Sequence, residues 1–448
     1  MSEIVGSATP EPEDPAVLAK RRRFLWRMIL VLVGGTFLDG YILGIIGPVT
    51  GTIEHDDPRY TAIWIGLEAS SAMLGILIGS PVGGWLADRL GRRPILFWDL
   101  VLFTAFSALQ FFVDGPWQLF LVRLGMGIAV GVEYAVGQPM IAEFAPVHLR
   151  GKLLGTTLVA WYFGFMVAFI IGYYLNAAGV HWRVILGSST IIAVILVIGR
   201  IGLPESPRWL WSRGRTEEAH EIALEYMDTA YQTDMAKAAS DGVVGSFGML
   251  FSPAVWRSTV FMCVFWTCAV APYFAIATFA DNVMGTVGLT GLLSGVILSV
   301  FAWLGVTWTT LVIDRYSRRS LCVPTQWAAA VLLVVIGLWA GAPAPIMLVM
   351  FLAYSFLNAV YTCLTMIYPA EIFPTEIRAL GTGFSAAVSR LGAAGGLFLI
   401  PLSLDHLGFT WTMIFAAIVA FVGALVSQIL APETGGKSLS ELASEVTH

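Results

Sequence analysis

Charge is what this 448-residue sequence has least of: Asp, Glu, Lys and Arg make up 12% of it. A soluble domain carries about 25%, so an ordinary water-soluble fold is excluded. Without a dense basic face there is also no expected nucleic-acid partner. There are four cysteines and six histidines. No CxxC occurs and no His stands at ligand spacing, so neither a disulfide framework nor a metal centre is expected. A phosphate-binding glycine loop and a Ser-His-Asp arrangement are both lacking, which removes an enzyme and a pump driven directly by ATP. No basic region with a small-residue cleavage site opens the chain, so no cleavable signal peptide is expected.

What fills the sequence is apolar: 57% of residues are hydrophobic and the mean hydropathy is +0.78. Twelve runs of about 20 residues or more can each cross a ~30 Å hydrocarbon core. They cover 26–50, 61–87, 94–113, 116–143, 152–177, 182–203, 257–281, 289–313, 320–340, 344–371, 377–404 and 408–430. Uninterrupted runs in that solvent are helices, because only a helix satisfies its own backbone there. The expected fold is an all-α membrane protein of twelve transmembrane helices in two pseudo-symmetric six-helix bundles. Residues 1–25 form a disordered tail, 26–203 the first bundle, 204–255 a linker, 256–431 the second bundle and 432–448 a tail. With both ends placed inside, Arg59 and Arg183 fall outside, Arg123 and Arg390 fall within spans, and every other Lys and Arg lies at the cytoplasmic face. That bias sets the orientation, and Trp26, Trp117, Trp182, Trp256 and Trp411 near span ends suit an interfacial belt.

Between the second and third runs stands Gly84-Trp85-Leu86-Ala87-Asp88-Arg89-Leu90-Gly91-Arg92-Arg93. A degraded copy, with Thr310 and Ser317 in place of the glycines, contains Asp314, Arg315, Arg318 and Arg319. Glu143 and Arg150 recur as Glu371 and Arg378, and Pro204-Glu205-Ser206 recurs as Pro432-Glu433-Thr434, at one common offset of about half the chain. The spacing predicts a duplicated membrane protein. Between the halves, Thr216 to Met227 reads as a short amphipathic helix.

These motifs resemble the major facilitator superfamily over essentially the whole chain. Pro204-Glu205-Ser206-Pro207-Arg208-Trp209-Leu210 and Pro432-Glu433-Thr434-Gly435-Gly436-Lys437 resemble its sugar-porter branch and related metabolite–proton symporters. Phe37-Leu38-Asp39-Gly40-Tyr41, Gly131-Val132-Glu133 and Ser389-Arg390-Leu391-Gly392 are most similar to bacterial inner-membrane metabolite and niacin-type transporters. The resemblance implies alternating access by rocking of the two bundles, no cofactor beyond a proton gradient, and a monomer in a lipid bilayer. It also implies a cytoplasmic gate. Gly84, Asp88, Arg89, Gly91, Arg92, Arg93, Glu143, Arg150, Glu205 and Arg208 would pair with Asp314, Arg315, Arg318, Arg319, Glu371, Arg378 and Glu433.

Ionisable groups deep in a span cost at least ~2.5 kcal/mol and mark function. Asp39, Glu133 and Arg390 are each mid-span, and their duplicate positions are uncharged. Two acids and a base about one cavity can serve proton coupling, with Asp39 and Glu133 as the coupling residues and, together with Arg390, as candidate substrate contacts. In organic-ion relatives the position similar to Arg390 is basic in anion carriers, so the resemblance implies an aromatic or heterocyclic carboxylate. A planar guanidinium binds a carboxylate in bidentate fashion. Tyr134, Trp161, Tyr162, Trp266, Tyr273, Tyr354 and Tyr361 are candidate apolar walls, and Gln138 and Asn358 candidate polar contacts. Arg123 is expected to pair locally or snorkel outward. Sugars, polyols or sugar acids remain the alternative substrates, although the Gln residues typical of sugar porters are missing from spans 5 and 7. A transport-dead sensor is a third reading.

Overall fold

The computed structural model describes residues 15–144, 150–227, 247–285, 293–313, 315–373 and 377–434. Among these residues every regular element is helical. Asp314 lies outside them, and so do the side chains of Arg150 and Arg378. Among the described residues, eleven helices are long and apolar enough to cross a membrane. Spans 1 to 5 are Ala19–Asp56, Ala62–Leu90, Arg92–Phe112, Pro116–Ile141 and Gly155–Ala177. Spans 6 to 10 are Trp182–Arg200, Trp256–Thr278, Ser294–Val312, Arg318–Leu338 and Ala344–Thr365. The last helix, Leu380–Leu430, turns at Gly408, whose φ of +77° only glycine adopts readily. It is therefore spans 11 and 12, which makes twelve spans among the described residues.

Lipid is as apolar as leucine, so close packing rather than water exclusion holds such helices together. Glycine supplies the closeness. A Cβ added at Gly79 of span 2 would run into the Ile128 carbonyl of span 4, and one at Gly40 of span 1 would strike the Trp161 carbonyl of span 5. These two crossings fix the first bundle. The bundles meet through span 2 against span 11 and span 5 against span 8.

The first helix starts at Pro15, so residues 15–25 are ordered helix and not tail. The linker helix, Thr216–Tyr226, explains this. Lys20 Nζ donates to Glu225 Oε1 at 2.7 Å, Arg21 Nη2 to the Leu224 carbonyl at 2.7 Å, and the Phe24 and Tyr226 rings lie 4.0 Å apart. The amphipathic helix read from sequence thus docks its apolar face on the start of span 1.

Two faces follow from this chain path. The face bearing Gly91 carries the duplicated motifs; the far face carries the connections at 57–61 and 178–181. At the far face the halves touch: an added Cβ at Gly66 would sit 2.7 Å from the Phe398 carbonyl, and one at Gly47 2.8 Å from the Thr278 carbonyl.

Candidate transport site

The motif face is built twice on one plan. Glu205 accepts from the Arg92 amide (2.9 Å) and the Arg93 amide (3.2 Å), capping the start of span 3. In the second half Glu433 accepts from the Arg318 amide (3.2 Å) and the Arg319 amide (3.4 Å), capping span 9. Arg92 pairs with Glu143, which also accepts from the Ser206 hydroxyl. Arg318 pairs with Glu371 at 3.3 Å, which accepts from the Thr434 hydroxyl. Unsatisfied amides at a helix start attract a carboxylate, so the repeated Pro-Glu-Ser/Thr is a capping device in each half. Arg92–Glu143 and Arg318–Glu371 each join residues of one half. The two copies differ at the turn. Gly91 has φ +103°, whereas Ser317 has φ −63° and caps span 9 with its own hydroxyl, so the missing glycine is replaced by a cap. Arg89 is exposed and stacks on Trp85, 4.2 Å from the ring centre, while the Asp88 carbonyl accepts from Trp209 Nε1 at 2.9 Å. Arg93, Arg315 and Arg319 are exposed, Gly84 and Arg208 half-buried.

Between the bundles lies a cavity of about 50 Å³, space for a few waters at ~10–15 Å³ each. Of the residues singled out from sequence, Tyr134, Gln138, Trp161, Tyr162, Trp266 and Arg390 line it. Thr36, Thr157, Leu158, Val270, Phe274, Thr362, Thr365 and Met366 complete the wall and were not singled out. The Arg390 guanidinium carbon is 5.7 Å from the Tyr134 ring centre, and its Nη1 is 3.9 Å from Met73 Sδ. A ring face and a thioether are weak partners for a buried cation. Trp161 Nε1 donates to Tyr134 Oη at 3.0 Å and holds that ring in place.

Six expected contacts stand outside the lining: Asp39 and Glu133 line a separate small cavity, and Asn358, Tyr361, Tyr273 and Tyr354 are the others. Asn358 donates to the Ala269 carbonyl (3.0 Å) and to Tyr361 Oη (2.5 Å) and accepts from Thr362 Oγ1 (3.2 Å), so its amide ties spans 7 and 10 together. Tyr361 is its partner, Tyr354 is buried, and Tyr273 is buried between the halves, its ring centre 6.2 Å from that of Phe165 in span 5 and 6.0 Å from that of Phe274.

Asp39 and Glu133 meet, but not alone. Arg200 of span 6 donates through Nη2 to Glu133 Oε2 at 2.6 Å and through Nη1 to Asp99 Oδ1 of span 3 at 3.1 Å. Arg200 was placed at the cytoplasmic face from its nearness to a span end; its side chain is in fact 1% exposed. Asp99 was not singled out. The available signal was an acid and a base inside their expected spans, Asp99 five residues past the start of 94–113 and Arg200 three residues before the end of 182–203. Gly35 and Gly137 make room: an added Cβ at Gly35 would lie 2.8 Å from Arg200 Nη2, and one at Gly137 2.9 Å from Glu133 Oε1. Arg123 does not snorkel. It is 2% exposed and donates to the carbonyls of Glu68 (3.2 Å) and Ile42 (3.4 Å).

Residues 28–445 match the model of a family described as sugar (and other) transporter. The chain belongs to that family. It is a multi-pass membrane transporter of the major facilitator superfamily, and the family is not one of enzymes. The transporter is 36% identical over 419 residues to the inner membrane metabolite transport protein YgcS of Escherichia coli, covering 92% of each chain. It is 26% identical to the niacin transporter NiaP of Acinetobacter baylyi, over 94% of this chain and 97% of that one. In fold the transporter matches the proton:xylose symporter XylE of E. coli, with a TM-score of 0.80, 23% identity and coverage of 95% of this chain and 99% of the other.

Proposed function

We propose that this transporter moves an organic anion with an aromatic or heterocyclic ring together with protons, by alternating access. The observation that carries the reading is Arg390, a buried guanidinium on the wall of an aromatic cavity between the bundles. A carboxylate would engage its planar fork, while Tyr134, Trp161, Tyr162 and Trp266 would cover the ring. Asp39 and Glu133 are the coupling residues: each is buried, and Arg390 acts electrostatically on Asp39. A substrate carboxylate taking up Arg390's charge would leave Asp39 less compensated and favour a proton there. The name of the niacin transporter NiaP fits a heterocyclic carboxylate. The halves, 26–203 and 256–431, rock about the cavity, with 204–255 as the link, in a cell (inner) membrane with both ends cytoplasmic. The duplicated motif residues, Arg150, Asp314 and Arg378 among them, act as the gate by stabilising one state over the other. The transporter works as a monomer, with no cofactor beyond the proton gradient.

A sugar or sugar acid is the second reading. Gln138, Thr157, Thr362 and Thr365 offer polar groups to hydroxyls, and XylE is a xylose symporter. Uptake of nicotinate and of xylose into proteoliposomes, with and without an imposed pH gradient, separates the two. Nicotinate uptake that rises with an inward acid gradient and fails in Arg390→Ala supports the anion; xylose uptake indifferent to Arg390→Ala replaces it with the sugar.

A further inference from the structure

Three carboxylates surround Arg200. Asp39, Asp99 and Glu133 come from spans 1, 3 and 4 and are 3%, 6% and 5% exposed. Arg200 holds one oxygen of Asp99 and one of Glu133. The remaining oxygens, Asp99 Oδ2 and Glu133 Oε1, and with them Asp39 Oδ2, have no hydrogen-bond partner. The three acids line a single cavity of about 10 Å³, barely one water's worth of room at ~10–15 Å³ and too small for a hydrated ion. Fully ionised, the group would carry three negative charges against one positive. A buried charge without compensation is neutralised by a proton instead.

We propose that Asp39, Asp99, Glu133 and Arg200 form one proton-sharing centre, in which Asp99 is a further coupling residue and Arg200 a positioning residue. This rests on the symport reading above and names its missing half. The groups that face the acids are few. Asp39 interacts electrostatically with Glu133, Arg200 and Arg390, Asp99 with Arg200 and Glu133, and Tyr134 with Asp39, Arg390 and Glu133. Arg390 offsets a second negative charge while the cavity is empty of anion. When an anion takes that offset away, an O–H bond forms at one of the spare carboxylate oxygens with a proton from solvent. When the anion leaves, that bond breaks and the proton returns to solvent. No electron transfer is involved, and the cycle carries one proton per anion.

Infrared difference spectra of the purified protein across a pH titration test this without a substrate, through the C=O stretch of a buried carboxylic acid. The wild type is expected to show such a band. Asp99→Asn should lose part of it and shift its titration, and Asp99→Glu should restore it. Arg200→Lys keeps the charge count, so it should keep the band but move its titration; it also serves if Asp99→Asn does not fold. In proteoliposomes with nicotinate and xylose as probes, Asp99→Asn should lose gradient-driven accumulation while keeping counterflow. An Asp99→Asn protein with the wild-type band and wild-type accumulation overturns the inference. If Asp39→Asn and Glu133→Gln abolish accumulation but Asp99→Asn does not, the symport reading stands and this one falls. A band that responds to sodium at fixed pH overturns the proton assignment.

Discussion

Arg390 is the residue on which the substrate reading turns. Truncating a buried charge that contacts a ligand's charge costs ~2–5 kcal/mol, and each 1.4 kcal/mol is tenfold in affinity. Arg390→Ala is therefore expected to weaken binding of an anionic substrate by roughly thirty-fold or more, read by a thermal-shift titration, and Arg390→Lys to recover only part of it. Glu133→Gln should separate two activities: counterflow retained, accumulation against a gradient lost. Unimpaired accumulation in that variant would remove Glu133 from the coupling role. Gly35 is the silent member of the centre. An added methyl there has the Arg200 guanidinium 2.8 Å away and the Glu133 carboxylate closer still, and overpacking of this kind costs ~1–3 kcal/mol. Gly35→Ala should lower the melting temperature of detergent-solubilised protein and impair coupling together.

At the scale of elements, the caps and the docked linker helix make separate claims. Glu205 and Glu433 satisfy the starts of spans 3 and 9, and losing a helix cap costs ~0.5–2 kcal/mol. Glu205→Ala should speed amide exchange at Arg92 and Arg93 and leave Arg318 and Arg319 unchanged; Glu433→Ala should do the reverse. If both variants disturb both spans, the halves are coupled through this face more tightly than the same-half pairs imply. Docking of the linker helix is expected to depend on pH. The hydrogen bond from Lys20 holds the Glu225 carboxyl below the usual glutamate range. A carboxylate depressed in the folded state stabilises it above its unfolded value and stops doing so as pH falls through its folded value. Exchange protection of the helix Thr216–Tyr226 should therefore hold at neutral pH and fade below about pH 4.3, while Glu225→Gln should show that lower protection throughout.

For the whole molecule, the far face is closed by backbone contact between span 2 and span 11. A side chain at Gly66 cannot coexist with the Phe398 carbonyl at 2.7 Å from its Cβ. Gly66→Leu is expected to hold the halves apart at that face, lengthening spin-label distances between spans 2 and 11 there and reducing transport. Unchanged distances would show that the halves close elsewhere.

The twelve spans, the duplication and three of the buried charges were legible from the chain alone. The reason is the solvent: in hydrocarbon each backbone must satisfy itself, so every span announces itself by length and apolarity, and an ion inside one stands out by its cost. Depth near a span end and the direction a side chain faces are not local properties. They follow from how helices cross, and here the crossings are set by glycine contacts such as Gly79 against Ile128 and Gly40 against Trp161. So Tyr354, as aromatic as Trp161, and Asn358, as polar as Gln138, fall outside the cavity lining. Only the tertiary structure took Arg200 from the face into the core and set it between Asp99 and Glu133, because that meeting needs spans 3, 4 and 6 to converge.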